Sequence, residues 1–166
     1  MKIFLIGMPG SGKTTLGKQV AEHLQVDFVD LDLEIEKQEQ RSISEIFRQQ
    51  GEDEFRLMEA KLLRTSAAST RSFVMATGGG APCFHSGMEI INQHGISIFL
   101  DCTVNELVER VKRNRERPLL RTNDEEELRQ KLERMRESRL GCYQQAKIVL
   151  KDPTMEMLLK MLEPKM

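Results

Sequence analysis

Residues Gly7 to Thr14 read Gly-Met-Pro-Gly-Ser-Gly-Lys-Thr and fill every specified position of the spacing G-x-x-x-x-G-K-[ST]. Each residue type has a physical task. Glycines such as Gly10 and Gly12, with Ser11 between them, let consecutive backbone N–H groups curl around phosphate oxygens where a Cβ would obstruct. A helix opening near Gly12 aims the positive end of its dipole into the same cradle. Lys13 can bridge β- and γ-phosphates as a point charge, and the Thr14 hydroxyl can ligate Mg²⁺. The chemistry these residues can perform is binding a nucleoside triphosphate and moving its terminal phosphoryl group. A switch GTPase or a motor would share the loop. However, the chain has no Asn-Lys-x-Asp guanine reader and, at 166 residues, is short for a motor. A small-molecule kinase is the better expectation.

A phosphate loop works only between a strand and a helix, and the flanking residues supply both. Lys2–Ile6 is a short apolar run, and Gly12–Leu24 carries Leu16, Val20 and Leu24 at helical spacing. Four further runs read as strands: Asp27–Asp30, Ser72–Ala76, Ile96–Leu100 and Lys147–Leu150. Most are continuously apolar rather than alternating, which suits a parallel sheet covered on both faces. Ser42 with Glu45 and Thr103 with Glu106 form capping boxes that open helices, and Gly51 and Gly95 stand where helix-ending glycines belong. A long polar helix is expected from Asp124 to about Gln145. Strands alternating with helices imply an α/β doubly wound fold, a five-stranded parallel sheet flanked by helices in one domain spanning 1–166.

Composition narrows the class. The formal charge is -1, with 39% hydrophobic and 31% charged residues, so a nucleic-acid partner is not expected. No stretch approaches transmembrane length, and no membrane partner is expected. Cys83, Cys102 and Cys142 are odd in number and widely spaced. They read as reduced thiols of a cytoplasmic protein, with neither a disulfide framework nor a zinc site. Arginines crowd the later chain between Arg110 and Arg139. About half suit a solvated helix face, and the rest could meet a polyanion.

Beyond the loop, the chain resembles the shikimate kinase family of nucleoside-monophosphate-kinase-like P-loop enzymes. The resemblance covers nearly the whole chain and rests on Asp30-Leu31-Asp32, Phe55-Arg56-x-x-Glu59, Gly78-Gly79-Gly80-Ala81, Arg117-Pro118-Leu119-Leu120 and Arg139-x-x-x-Tyr143. It implies transfer of the γ-phosphate of ATP to the 3-hydroxyl of shikimate, with Mg²⁺, by a monomer. The implied substrate-binding region is about 31–60 and the implied mobile lid about 112–124. Arg56 and Arg139 would clamp the acceptor's carboxylate, since a guanidinium fork matches it bidentately. Asp32 would receive the hydroxyl proton, and the glycines 78–80 would bring backbone N–H groups to the acceptor. Glu59 would orient Arg56, and Phe55 would belong to the core.

On the nucleotide side the resemblance adds Thr15, Arg110 and Pro153 to the loop residues. Arg117 would reach over the phosphates from the lid, as an arginine finger in cis. Asp30 would reach Mg²⁺ through water. Asp101 is its rival, because Ile98-Phe99-Leu100-Asp101 also ends an apolar strand in an acid; otherwise Asp101 caps the next helix. Pro9 departs from the family's usual Met and resembles adenylate kinases, and the lid's 123–127 stretch is acidic. His23, His85 and His94 read as structural. A gluconate- or nucleotide-type kinase, or a non-catalytic ATP-responsive module, are the alternatives.

Overall fold

A computed structural model of the chain describes residues 1–113 and 124–163. Five strands form one parallel sheet: β1 (Lys2–Ile6), β2 (Asp27–Asp30), β3 (Phe73–Ala76), β4 (Ile96–Asp101) and β5 (Ile148–Lys151). Their order across the sheet is β2-β3-β1-β4-β5. β1 is central, pairing Leu5 with Ala76 of β3 and with Ile98 of β4. Both of its faces are covered, so it has no polar side to show and reads as an unbroken apolar run. The edge strands β2 and β5 are partly exposed.

The two-residue period of β1 divides the core. Phe4 and Ile6 point to one face, where they join Leu31, Phe55, Leu63, Met75, Phe99, Leu107 and Tyr143. Ile3 and Leu5 point to the other, with Val20, Val74, Ile98, Leu150, Leu158 and Leu162. The second face is therefore closed by α1 (Lys13–Leu24) and α7 (Met155–Leu162). The first is closed by α3 (Ile43–Ala68), α4 (Gly87–His94), α5 (Val104–Arg113) and α6 (Glu125–Tyr143). Helices on both faces of a parallel sheet are the expected doubly wound arrangement.

Local signals determine where helices begin. Ser42 and Glu45 exchange hydrogen bonds as a capping box, and Thr103 and Glu106 do the same at the start of α5. Asp124 caps α6 by accepting from Glu126 N. Of the two glycines expected to end helices, Gly95 does so and Gly51 does not. At φ 84° Gly51 kinks α3, which runs on to Ala68. Gly95 ends α4 in extended backbone, and it is needed for space: a Cβ there would lie 2.5 Å from the Lys2 carbonyl oxygen. The three thiols are free, as expected. Among the described residues, no helix is long and apolar enough to cross a membrane.

Candidate active site

In parallel strands every carboxyl end faces the same edge, and a crevice opens there where the strand order reverses on either side of β1. The loop after β1 is the phosphate loop. Gly12 sits at the N-cap of α1 in left-handed backbone (φ 94°), a conformation that a Cβ disfavours. Lys13 lays its ammonium on the loop, donating to the carbonyls of Gly7 at 2.9 Å and Met8 at 3.0 Å. Ser11 is fully buried, and its hydroxyl has no hydrogen-bond partner among the described residues.

A groove of about 380 Å³ opens beside this loop, lined by Gly10, Gly12, Lys13, Thr14, Thr15, Leu16, Arg110 and Pro153. It brings together the nucleotide-side residues expected from sequence, apart from Ser11 beneath it and Arg117. Arg110, a hundred residues downstream on α5, donates to the Gly10 carbonyl at 3.2 Å. Pro153 enters from the loop after β5. Arg117 and nearly all of the expected lid lie outside the described residues.

Two oxygen donors meet at the mouth of the loop. Thr14 Oγ1 donates to Asp30 Oδ2 at 2.9 Å, while Asp30 Oδ1 caps α2 (Leu31–Glu39) by accepting from Leu33 N. A hydroxyl and a carboxylate beside a phosphate cradle suit Mg²⁺, which takes one or two protein oxygens along with substrate phosphates. The rival carboxylate is engaged elsewhere. Asp101 accepts from Arg136 Nη2 at 2.7 Å. Asp101 does not cap the next helix, because the Thr103 hydroxyl fills that position.

On the other side of β1 the loop after β3 carries Gly78, Gly79 and Gly80, and four charged side chains close around it. A Cβ on Gly78 would lie 2.5 Å from Glu59 Oε2 and 2.8 Å from Asp32 Oδ1. One on Gly79 would lie 3.0 Å from Arg139 Nη1, and one on Gly80 would lie 2.5 Å from the central carbon of the Arg56 guanidinium. The missing side chains thus leave room for Asp32, Arg56, Glu59 and Arg139 to converge. The triplet also abuts the phosphate loop, with the Gly79 Cβ position 3.3 Å from Pro9 Cδ.

Burial sets the electrostatics of this cluster. Arg56 is 5% exposed and Glu59 1%; they pair at 2.9 Å, and Glu52 takes two further guanidinium N–H groups at 3.2 and 3.4 Å. Burial pushes the Glu59 carboxyl up to about 7, outweighing the pull of Arg56. Burial also raises the Asp32 carboxyl, and the neighbouring charge of Asp30 adds to the effect. Phe55 is buried in the core. One helical turn after Arg139, the Tyr143 hydroxyl donates to the Gly79 carbonyl at 2.5 Å. The i,i+4 spacing of the Arg139/Tyr143 motif is what puts both groups against the glycine loop.

Sequence reasoning missed two neighbours of Arg56. Glu52 was detectable as the acid four residues before it on one helix. Phe84, whose ring lies over its guanidinium, comes from a distant loop and left no local signal. Sequence reasoning also missed the proximity of Cys83 and Cys142, whose thiols shift one another's titration and feel the charge of Arg139.

Known proteins match this arrangement along its length. A family model described as shikimate kinase matches residues 9–162. A shikimate kinase of Azobacteroides pseudotrichonymphae is 38% identical over 99% of this chain and 98% of its own. The crystal structure of shikimate kinase from Bacteroides thetaiotaomicron superposes with a TM-score of 0.92 at 34% identity, covering 98% of each chain. Shikimate kinase from Acinetobacter baumannii, solved in complex with shikimate, gives 0.90 at 31% identity over 99% of this chain and 93% of that one. With identity sustained over the full length and the same arrangement of strands and helices, the chain belongs to the shikimate kinase family.

Proposed function

We propose that this chain, acting as one kinase domain, transfers the γ-phosphoryl of ATP to the 3-hydroxyl of shikimate, giving shikimate 3-phosphate and ADP. One observation carries the reading. A cluster of two guanidiniums and two carboxylates, of which Arg56 and Glu59 are buried, shares a wall with the phosphate loop, at Gly79 and Pro9. Such a cluster suits an acceptor that is both an acid and a polyol, whereas a nucleotide acceptor would need a surface that reads a base.

Each residue then has a task. Gly10, Ser11, Gly12, Thr14 and Thr15 offer backbone N–H groups to the phosphates, with Arg110 and Pro153 flanking the base. Arg56 and Arg139 hold the carboxylate, and the loop 78–80 seats the ring. Asp32 accepts hydrogen bonds from the acceptor hydroxyls and takes the proton of the attacking one. Its raised affinity for a proton brings it closer to the range where a general base works at neutral pH. The new bond joins the 3-oxygen to Pγ as the bond from Pγ to the β,γ-bridging oxygen breaks; Lys13 and Arg117 stabilise charge on the moving group. Mg²⁺, held by Thr14 and by Asp30 through water, supplies neutralisation of phosphate charge when bound. The stretch 112–124 acts as the lid.

The test is an ADP-release assay with shikimate, gluconate and nucleoside monophosphates as acceptors. ADP that accumulates only with shikimate is the expected result. ADP formed equally without an acceptor, or faster with another acceptor, overturns the reading.

A further inference from the structure

The turn that follows the glycine loop carries an apolar side chain the chemistry above does not use. Phe84 comes directly after a short 3-10 turn (Ala81–Cys83) and is 38% exposed. Its ring centroid lies 4.4 Å from the central guanidinium carbon of Arg56. Phe55 offers a second ring to the same cation at 5.2 Å. Both distances are within the range where an aromatic face attracts a cation. Glu52 and Glu59 meanwhile take three of the guanidinium N–H groups, out of the five that arginine has.

The backbone is shaped to hold the ring in place. His85 and Ser86 are both left-handed, with φ of 49° and 61°, a conformation that costs energy in non-glycine residues and concentrates at functional sites. The turn is closed by Gly87 N donating to the Phe84 carbonyl at 2.9 Å. It is tied down by Arg64 Nη2 donating to the His85 carbonyl, also at 2.9 Å. A ring serving only to fill the core would be buried. This one keeps an exposed face while covering a cation that is almost wholly buried.

We infer that Phe84 is a positioning residue for Arg56. Its ring fixes the plane of the guanidinium, so that the N–H groups not taken by Glu52 and Glu59 stay aimed at the acceptor's carboxylate. The inference rests on the reading of Arg56 as the acceptor's anion clamp. Phe84 does not line the nucleotide groove, so its effect is confined to the acceptor.

The experiment is steady-state kinetics on the wild type and on Phe84→Ala, Phe84→Tyr and Phe84→Leu. Shikimate and ATP are varied in turn, and melting temperatures are taken alongside. Phe84→Ala should raise the shikimate KM roughly three- to thirtyfold, the range that a partly desolvated cation–π contact spans. The ATP KM and kcat should stay near wild type. Phe84→Tyr, which keeps the ring face, should restore the KM, and Phe84→Leu, which covers the guanidinium without one, should not. If the alanine variant does not fold, the tyrosine–leucine comparison decides alone. An unchanged KM in Phe84→Ala, equal rescue by leucine, or a parallel loss in kcat and ATP affinity overturns the inference while leaving the proposed function standing. A wild type that does not phosphorylate shikimate overturns both.

Discussion

Glu59→Gln isolates one electrostatic quantity of the acceptor cluster. Glu59 is 1% exposed, pairs with Arg56 through Oε1, and has no hydrogen-bond partner for Oε2 among the described residues. Burial raises its carboxyl from 4.5 to about 7. A folded-state value above the unfolded one means that the folded chain holds the proton more tightly. The associated stability is complete below about pH 4.5 and is lost as pH rises through about 7. That difference corresponds to roughly 3 kcal/mol, and at roughly 2–4 °C per kcal/mol for a chain of this size it is on the order of 10 °C in Tm. Glutamine keeps an oxygen for Arg56 but cannot ionise, so this pH dependence disappears. The attraction of Arg56 for the ionised form is already part of that value, so what remains of the substitution, a carboxyl exchanged for an amide beside an arginine that is always protonated, does not vary with pH. The quantity to read is therefore the change with pH in the Tm difference between the two proteins, by calorimetry from pH 4.5 to 8. The variant should gain on the wild type by on the order of 10 °C across that span. A difference that stays flat, or grows in the opposite direction, would refute the argument that burial rather than Arg56 governs this carboxyl.

Lys13→Ala should abolish turnover and leave shikimate binding by calorimetry largely intact, because the role proposed for Lys13 is on the phosphates; turnover near wild type would remove the loop from the chemistry. Asp30→Asn should raise the Mg²⁺ concentration needed for half-maximal rate, whereas Asp101→Asn should chiefly lower Tm through loss of its bond to Arg136. A raised Mg²⁺ requirement in the Asp101 variant alone would reverse that assignment. Arg139→Lys should raise the shikimate KM, since an ammonium cannot reproduce a bidentate grip. Arg117→Ala should depress kcat instead, by on the order of a thousandfold; an unchanged kcat with a raised shikimate KM would mean the lid arginine binds the acceptor rather than the moving phosphoryl.

Features encoded within a few consecutive residues are legible in the amino-acid sequence. The phosphate loop, both capping boxes and the five strands fall where residue types put them, the strands to within a residue at each end. Their local hydrogen bonds and burial patterns leave few alternatives. Family resemblance gave Arg56, Asp32 and Arg139 their roles, and the structure brings their side chains together at one loop. What stayed hidden depends on contacts between distant segments. The order of the strands, the place of Phe84 over Arg56 and the proximity of Cys83 and Cys142 are products of chain crossover, to which no short pattern corresponds. Asp101 shows the same limit in reverse. An acid at a strand end carries no local mark of its partner, which is Arg136 on a helix far along the chain.

The strand order has a consequence for how such a protein can change over evolutionary time. Everything lining the groove beside the phosphate loop comes from segments after β1, β4 and β5, whereas Asp32, Arg56, Glu59 and the glycine loop come from segments after β2 and β3. The two sets meet beside the carboxyl end of β1, and Arg139, on α6 between β4 and β5, is the acceptor-side side chain that crosses to the glycine loop from the other flank. Substitutions on the β2–β3 flank can thus retool which small molecule is accepted without disturbing the machinery on the β4–β5 flank. A lineage can then diverge in acceptor preference while its phosphate donor stays the same.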